Sequence, residues 1–86
     1  MKDLERIYKA FANRRRLAIV SFLKKEREAK VGAIAVKINL SFKATSKHLG
    51  VLASANIVDK EQRSLEMYYR IASDLHQHAK QVISLL

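Results

Sequence analysis

The sequence has no cysteine, no proline and no tryptophan, and only two glycines. Without cysteine there is no disulfide framework, no thiolate metal site and no cysteine nucleophile. The scarcity of proline and glycine leaves no low-complexity linker and no visible boundary, so residues 1–86 are read as one domain with a single core. No apolar run approaches the roughly 20 residues needed to span a bilayer, and the first residues lack a signal-peptide apolar region. A cytoplasmic protein with no membrane partner is expected. There is no glycine-rich phosphate loop, and no pairing of carboxylates or of Ser, His and Asp that suggests a catalytic pocket. The reading is therefore not an enzyme, and no cofactor is expected.

Acidic residues are also scarce: eight Asp and Glu stand against 17 Lys and Arg, a formal charge of +9. The excess is unevenly placed. Residues 1–47 hold 13 basic against four acidic residues, and residues 48–86 hold four of each. Positive charge concentrated in one half suits a polyanion, whose counterions are released on contact. About half the residues are apolar, enough to drive folding.

The apolar positions give the order of elements. Leu4, Ile7, Tyr8 and Phe11 form one stripe of a helix over about 3–12. Asn13 is a good N-cap for a second helix over about 14–25. Its Leu17, Ala18, Ile19, Val20, Phe22 and Leu23 cover most of the circumference, as expected at the centre of a core. Lys24 to Lys30 reads as a loop or fraying end. Val31, Ile34, Ala35 and Ile38 then mark a short helix that Asn39 can end in a left-handed conformation. Leu40 and Ser41 supply a hydrophobic staple and an N-cap for a helix over about 42–54. Ile57-Val58 and Met67 to Ile71 read as two strands of a hairpin with its tip near Arg63 to Leu65. Ser73 is read as the cap of a last helix bearing Leu75, Ala79, Val82, Ile83 and Leu86. The result is mainly α with a small β-hairpin, in the order α-α-α-α-β-β-α: a winged helix-turn-helix.

The helix over 42–54 turns Thr45, Leu49 and Leu52 inward and Lys43, Ser46, Lys47, Gly50 and Ser54 outward. Such a face suits a DNA groove, with lysine and serine donating to base edges or phosphates. Phe42 at the first helical position is placed either to meet a thymine methyl or to fold back onto the domain, and Ser41 stands beside it at the helix start. Lys37 lies on the helix that crosses the backbone in this architecture. Arg14, Arg15 and Arg16 open a helix, where cations are disfavoured, so an anion is expected near them, either phosphate or a carboxylate such as Asp3 or Glu5. Arg14 and Arg15 are taken as phosphate ligands, and Arg63 as a weaker wing contact. Gly50 needs a reason, either close approach to a phosphate backbone or crowding by a neighbouring element. His48 reads as a packed structural histidine.

Three segments resemble the ArsR-type family of small winged-helix regulators: Phe11-Ala12-Asn13-Arg14-Arg15-Arg16-Leu17-Ala18-Ile19, then Leu40-Ser41 through Ser46-Lys47-His48-Leu49 and Val51-Leu52, then Tyr68-Tyr69-Arg70-Ile71. The resemblance implies a homodimer joined through first and last helices and a pseudo-palindromic operator. Leu4, Ile7, Phe11, Leu75, Ala79, Val82, Ile83 and Leu86 are the candidate interface, the alternative for the last-helix stripe being packing on the core. The chain departs from the family in having Arg14 where many members have proline. It also has Lys30 and Gly32 where metal-sensing members have cysteines, and Ser64, Leu65 and Glu66 at the wing tip. Some members bind zinc through an Asp-x-His on the last helix with histidines further on. Asp74 and His76 match that start and His78 lies nearby, but the sequence ends at Leu86, before a second pair. No metal is expected.

The function expected is sequence-specific binding of double-stranded DNA by a dimeric transcriptional regulator, nucleoid-associated in a prokaryote. The competing reading is a winged-helix module for protein interaction or RNA binding.

Overall fold

The computed structural model describes residues 2–86. The elements are α1 (Lys2–Phe11), α2 (Arg14–Glu26), β1 (Glu28–Lys30), α3 (Val31–Ile38), α4 (Phe42–Ser54), β2 (Val58–Arg63), β3 (Glu66–Ile71) and α5 (Gln77–Ser84). Local chemistry sets most of these limits. The Asn13 side chain accepts from the backbone N–H groups of both Arg15 and Arg16, satisfying two donors that α2 cannot pair internally. Asn39 ends α3 at φ 55°, a left-handed conformation that asparagine tolerates better than most side chains. Two residues later the Ser41 hydroxyl accepts from the Ala44 N–H at 3.1 Å and starts α4.

The core gathers one face from every helix and the inner face of the sheet. Ile19, Val20 and Leu23 of α2 are fully buried at its centre, with Ile34 of α3, Leu49 and Leu52 of α4, and Ile57 before β2. Thr45 is buried among them without loss, because its hydroxyl donates to the Ser41 carbonyl at 2.8 Å. Ala18, expected in the core with its neighbours, is exposed: α2 buries a stripe and leaves this flank open.

Two expectations about elements are corrected. The segment after α2 is not a loop throughout. Helix α2 continues to Glu26, Arg27 turns the chain at φ 76°, and Glu28–Lys30 form β1. That strand pairs antiparallel with β3, Ala29 opposite Tyr69, so the hairpin becomes a three-stranded sheet in the order β1-β3-β2. A three-residue strand with one inward alanine gives no periodic signal, and its existence depends on β3 offering a free edge. Nor does Ser73 cap the last helix. The chain stays irregular through Leu75, and His76 caps α5, its Nδ1 accepting from the His78 N–H at 3.2 Å. The Ser73 N–H instead donates to Asp59.

The hairpin tip falls at Ser64 and Leu65, with Ser64 at φ 58° supplying the turn without glycine. The whole arrangement is a winged helix-turn-helix, with α3 and α4 as the motif and β2–β3 as the wing.

Candidate nucleic-acid interface

The outward face of α4 follows from the depth of its inner face. Thr45, Leu49 and Leu52 are fully buried, so helical periodicity leaves Lys43 and Lys47 exposed one turn apart, with Ser46 half-buried beside them. Phe42 at the helix start is 63% exposed, an unusual state for a phenylalanine. Ser41 is exposed, but its hydroxyl oxygen is already committed to capping. Gly50 continues the outward face toward the C-terminal end. Among the described residues a Cβ built there would meet nothing within 4 Å, so crowding by another of the described elements does not explain the glycine.

The arginine cluster divides by geometry. Arg16 donates through Nε to the Ala10 carbonyl at 2.6 Å and through Nη2 to the Lys9 carbonyl at 3.2 Å; its Nη1 meets His48 Nδ1 at 3.2 Å. Arg15 donates through Nη1 to the Ile38 carbonyl at 2.9 Å. Both therefore brace the carboxyl-terminal carbonyls of another helix, α1 for Arg16 and α3 for Arg15. The anion expected near them is the negative end of a helix dipole, and neither is paired with Asp3 or Glu5. This pattern was not visible in the sequence, because unpaired carbonyls belong to helix ends only once the ends meet.

Arg14 remains exposed, as does Lys37. The two rim a groove of about 680 Å³ between α2 and α3, along with Arg15 and Lys25. Among the described residues, none of Arg14, Lys37, Lys43 and Lys47 forms an ion pair. Four uncommitted cations thus lie on α2, α3 and α4.

His48 sits where α4 meets α2. Burial and the charges of Arg16 and Arg15 hold its pKa below the ordinary histidine value. A neutral ring whose Nδ1 accepts from Arg16 fits the packed role expected of it.

The wing is chemically different. Arg63 makes two hydrogen bonds to Glu28, at 2.7 and 2.8 Å, and a third to Glu61 at 3.1 Å. Its guanidinium carbon lies 4.4 Å from the Tyr68 ring centroid. The cation expected to touch DNA from the wing is already surrounded by its own strands. Tyr69, by contrast, faces the core and is buried.

The candidate interface between copies is also redistributed. Ile7, Phe11, Ala79 and Ile83 are buried within the single chain and belong to its core, which leaves them little surface for a partner. Leu4, Leu75 and Val82 keep partial exposure, Leu86 is exposed, and Leu85 beside it is 83% exposed. Near them the His76 and His78 rings stack with centroids 5.4 Å apart, but each is engaged: His76 caps α5, and His78 Nδ1 lies 3.2 Å from the Tyr8 hydroxyl. Among the described residues no group of three or more potential ligands gathers for a metal, and no helix is long and apolar enough to cross a membrane.

Comparison with known proteins places this geometry in company. Residues 13–60, from the cap of α2 into β2, match the family described as bacterial regulatory protein, arsR family. The nodulation protein NolR of Rhizobium meliloti is 43% identical over 65 residues, which are 76% of this chain and 52% of that protein. The chain thus spans about half the length of that curated relative. Among solved structures, HlyU of Vibrio cholerae superposes with a TM-score of 0.83 at 30% identity, covering 98% of this chain and 87% of HlyU. A homodimeric winged helix-turn-helix DNA-binding domain from Mycobacterium bovis, described as a possible ArsR-family transcriptional regulator, gives 0.84 at 31% identity. That match covers 98% of this chain and 74% of the other.

Proposed function

The chain belongs to the arsR family of bacterial regulatory proteins, and on that premise we propose that it is a dimeric transcriptional regulator that reads double-stranded DNA with α4. The observation that supports this most is the pairing of a fully buried inner face on α4 with an outer face bearing two unpaired, exposed lysines. Helix α4 enters the major groove with Lys43, Ser46 and Lys47 at base edges and Phe42 against a thymine methyl. Arg14 and Lys37 hold phosphates on either side, while Arg15 acts by bracing α3, and Ser41 by capping α4. These roles are binding roles, and the protein acts as a binder at the nucleoid, not as a catalyst.

Two copies meet through α1 and the C-terminal end of the chain, with Leu4, Leu75, Val82, Leu85 and Leu86 supplying the apolar contact. A two-fold pair places two α4 helices about one DNA turn apart.

Salt-titrated retention of a duplex and of a single-stranded RNA of equal length tests this reading. Duplex binding that weakens linearly in log-log form with salt, and exceeds RNA binding throughout, is the expected result. No retention of any duplex at low ionic strength, or tighter binding of the RNA, overturns it.

A further inference from the structure

The outward face of the sheet holds a lattice of charges centred on one aromatic ring. The register sets Glu28, Arg70 and Asp59 in one row across the three strands, and Lys30, Tyr68 and Glu61 in the next. Glu66 and Arg63 face each other in the last row of β3 and β2. Side chains at these paired positions share a face, because strand residues alternate. Arg63 reaches from β2 over the Tyr68 ring of β3 to a forked contact with Glu28 on β1, so one side chain straps all three strands. Glu61 accepts from both Arg63 and Arg70, at 3.1 and 3.0 Å, and Lys30 pairs with Glu66 at 3.0 Å. The strands carry four acidic and four basic residues, and among the described residues Lys60 is the one strand cation outside the ion pairs.

We propose that Glu28 and Glu61 are specificity-determining residues that hold the Arg63 guanidinium away from nucleic-acid phosphate, so that this wing cation adds no sequence-independent affinity. The inference rests on the DNA-binding reading above and deepens it.

A single exposed ion pair is weak, but a forked arginine–carboxylate contact within a network is the recognised exception. Here two carboxylates and a ring face already satisfy the cation. A phosphate offers one charge, and swinging the guanidinium off the sheet to meet it squarely means giving up hydrogen bonds that are already made to two carboxylates. The neighbours reinforce the grip: contact with Arg63 holds the carboxyls of Glu28 and Glu61 below the usual carboxylate range, and contact with both glutamates holds Arg63 more firmly protonated. Phosphate contacts carry no sequence information, so a wing arginine that makes none leaves more of the discrimination to the base edges met by α4. The carboxylates would then sharpen selectivity by withholding affinity that every duplex would share.

The test measures binding to a random-sequence duplex between 50 and 200 mM salt, using the full chain. Glu28→Gln with Glu61→Gln is expected to tighten binding and to steepen the log-log salt slope by about 0.9, one phosphate. The gain over the unaltered protein should then be about 3- to 4-fold larger at 50 mM than at 200 mM. Arg63→Ala alone should leave binding within about 2-fold, since that cation is not on phosphate to begin with. Adding Arg63→Ala to the double variant should cancel the gain. If the triple variant keeps the gain, the effect is only lost negative charge and the proposal is wrong. It is equally wrong if Arg63→Ala alone flattens the salt slope by about 0.9. Failure of the unaltered protein to bind any duplex overturns the DNA reading itself and shows before any variant is made.

Discussion

Gly50 sits within α4 with open space where a side chain would begin, so none of the described residues requires it. Glycine in an exposed helix interior is less favourable than alanine by about 1 kcal/mol. Gly50→Ala should therefore stabilise the fold, raising the melting temperature by about 4–8 °C for a domain of this size, as thermal denaturation would show. The same variant should bind duplex less well if the glycine admits a phosphate backbone. Unchanged affinity would assign Gly50 no role at the interface. Residue types at the site were largely legible in the sequence: Lys43, Ser46 and Lys47 fall outward because Thr45, Leu49 and Leu52 fall inward. Commitment to internal partners was not legible. Arg15, Arg16 and Arg63 have the same side chain as Arg14, and only the folded chain shows that the first three are engaged.

Helices and strands differ in how far their limits follow from local chemistry. Caps such as Asn13 and Ser41 act within a few residues, so α2 and α4 begin where the sequence places them. β1 depends on an edge contributed some 40 residues later by β3, and α5 starts four residues past its expected cap. The junction of α2 with α4 gives a pH dependence. Its clamp runs from the α1 carbonyls through Arg16 to the neutral ring of His48. Because the folded-state pKa of His48 is lowered, the unfolded chain binds a proton first as pH falls. The stabilising contribution is thus complete above the ordinary histidine pKa and is lost as pH drops through it toward the folded value. Denaturant midpoints measured from pH 7.5 to 5 should fall, and His48→Gln should remove the part of that decline due to this ring. A variant with the full decline would place the titration elsewhere.

At the scale of the molecule, charge and apolar surface are segregated. The excess of basic residues lies on α1 to α4, while the strands balance their charges among themselves. Leu85 and Leu86 leave apolar area exposed at the C-terminal end, where Leu4, Leu75 and Val82 are only partly covered. If two copies share that surface, Leu85→Ser with Leu86→Ser should shift the sedimenting species from dimer to monomer at micromolar concentration, with the helical content retained. A chain that sediments as a monomer before substitution would contradict the dimer.

In the proposed function, α4 reads base sequence through Lys43 and Lys47. Selection of bound duplexes from a random pool tests it directly, when run in parallel with Lys43→Ala and Lys47→Ala. A palindromic consensus with half-site centres about 34–36 Å apart is expected, with loss of preference at defined positions of each half-site in at least one variant. Recovery of no consensus from the unaltered protein, or of the same consensus from both variants, would contradict it.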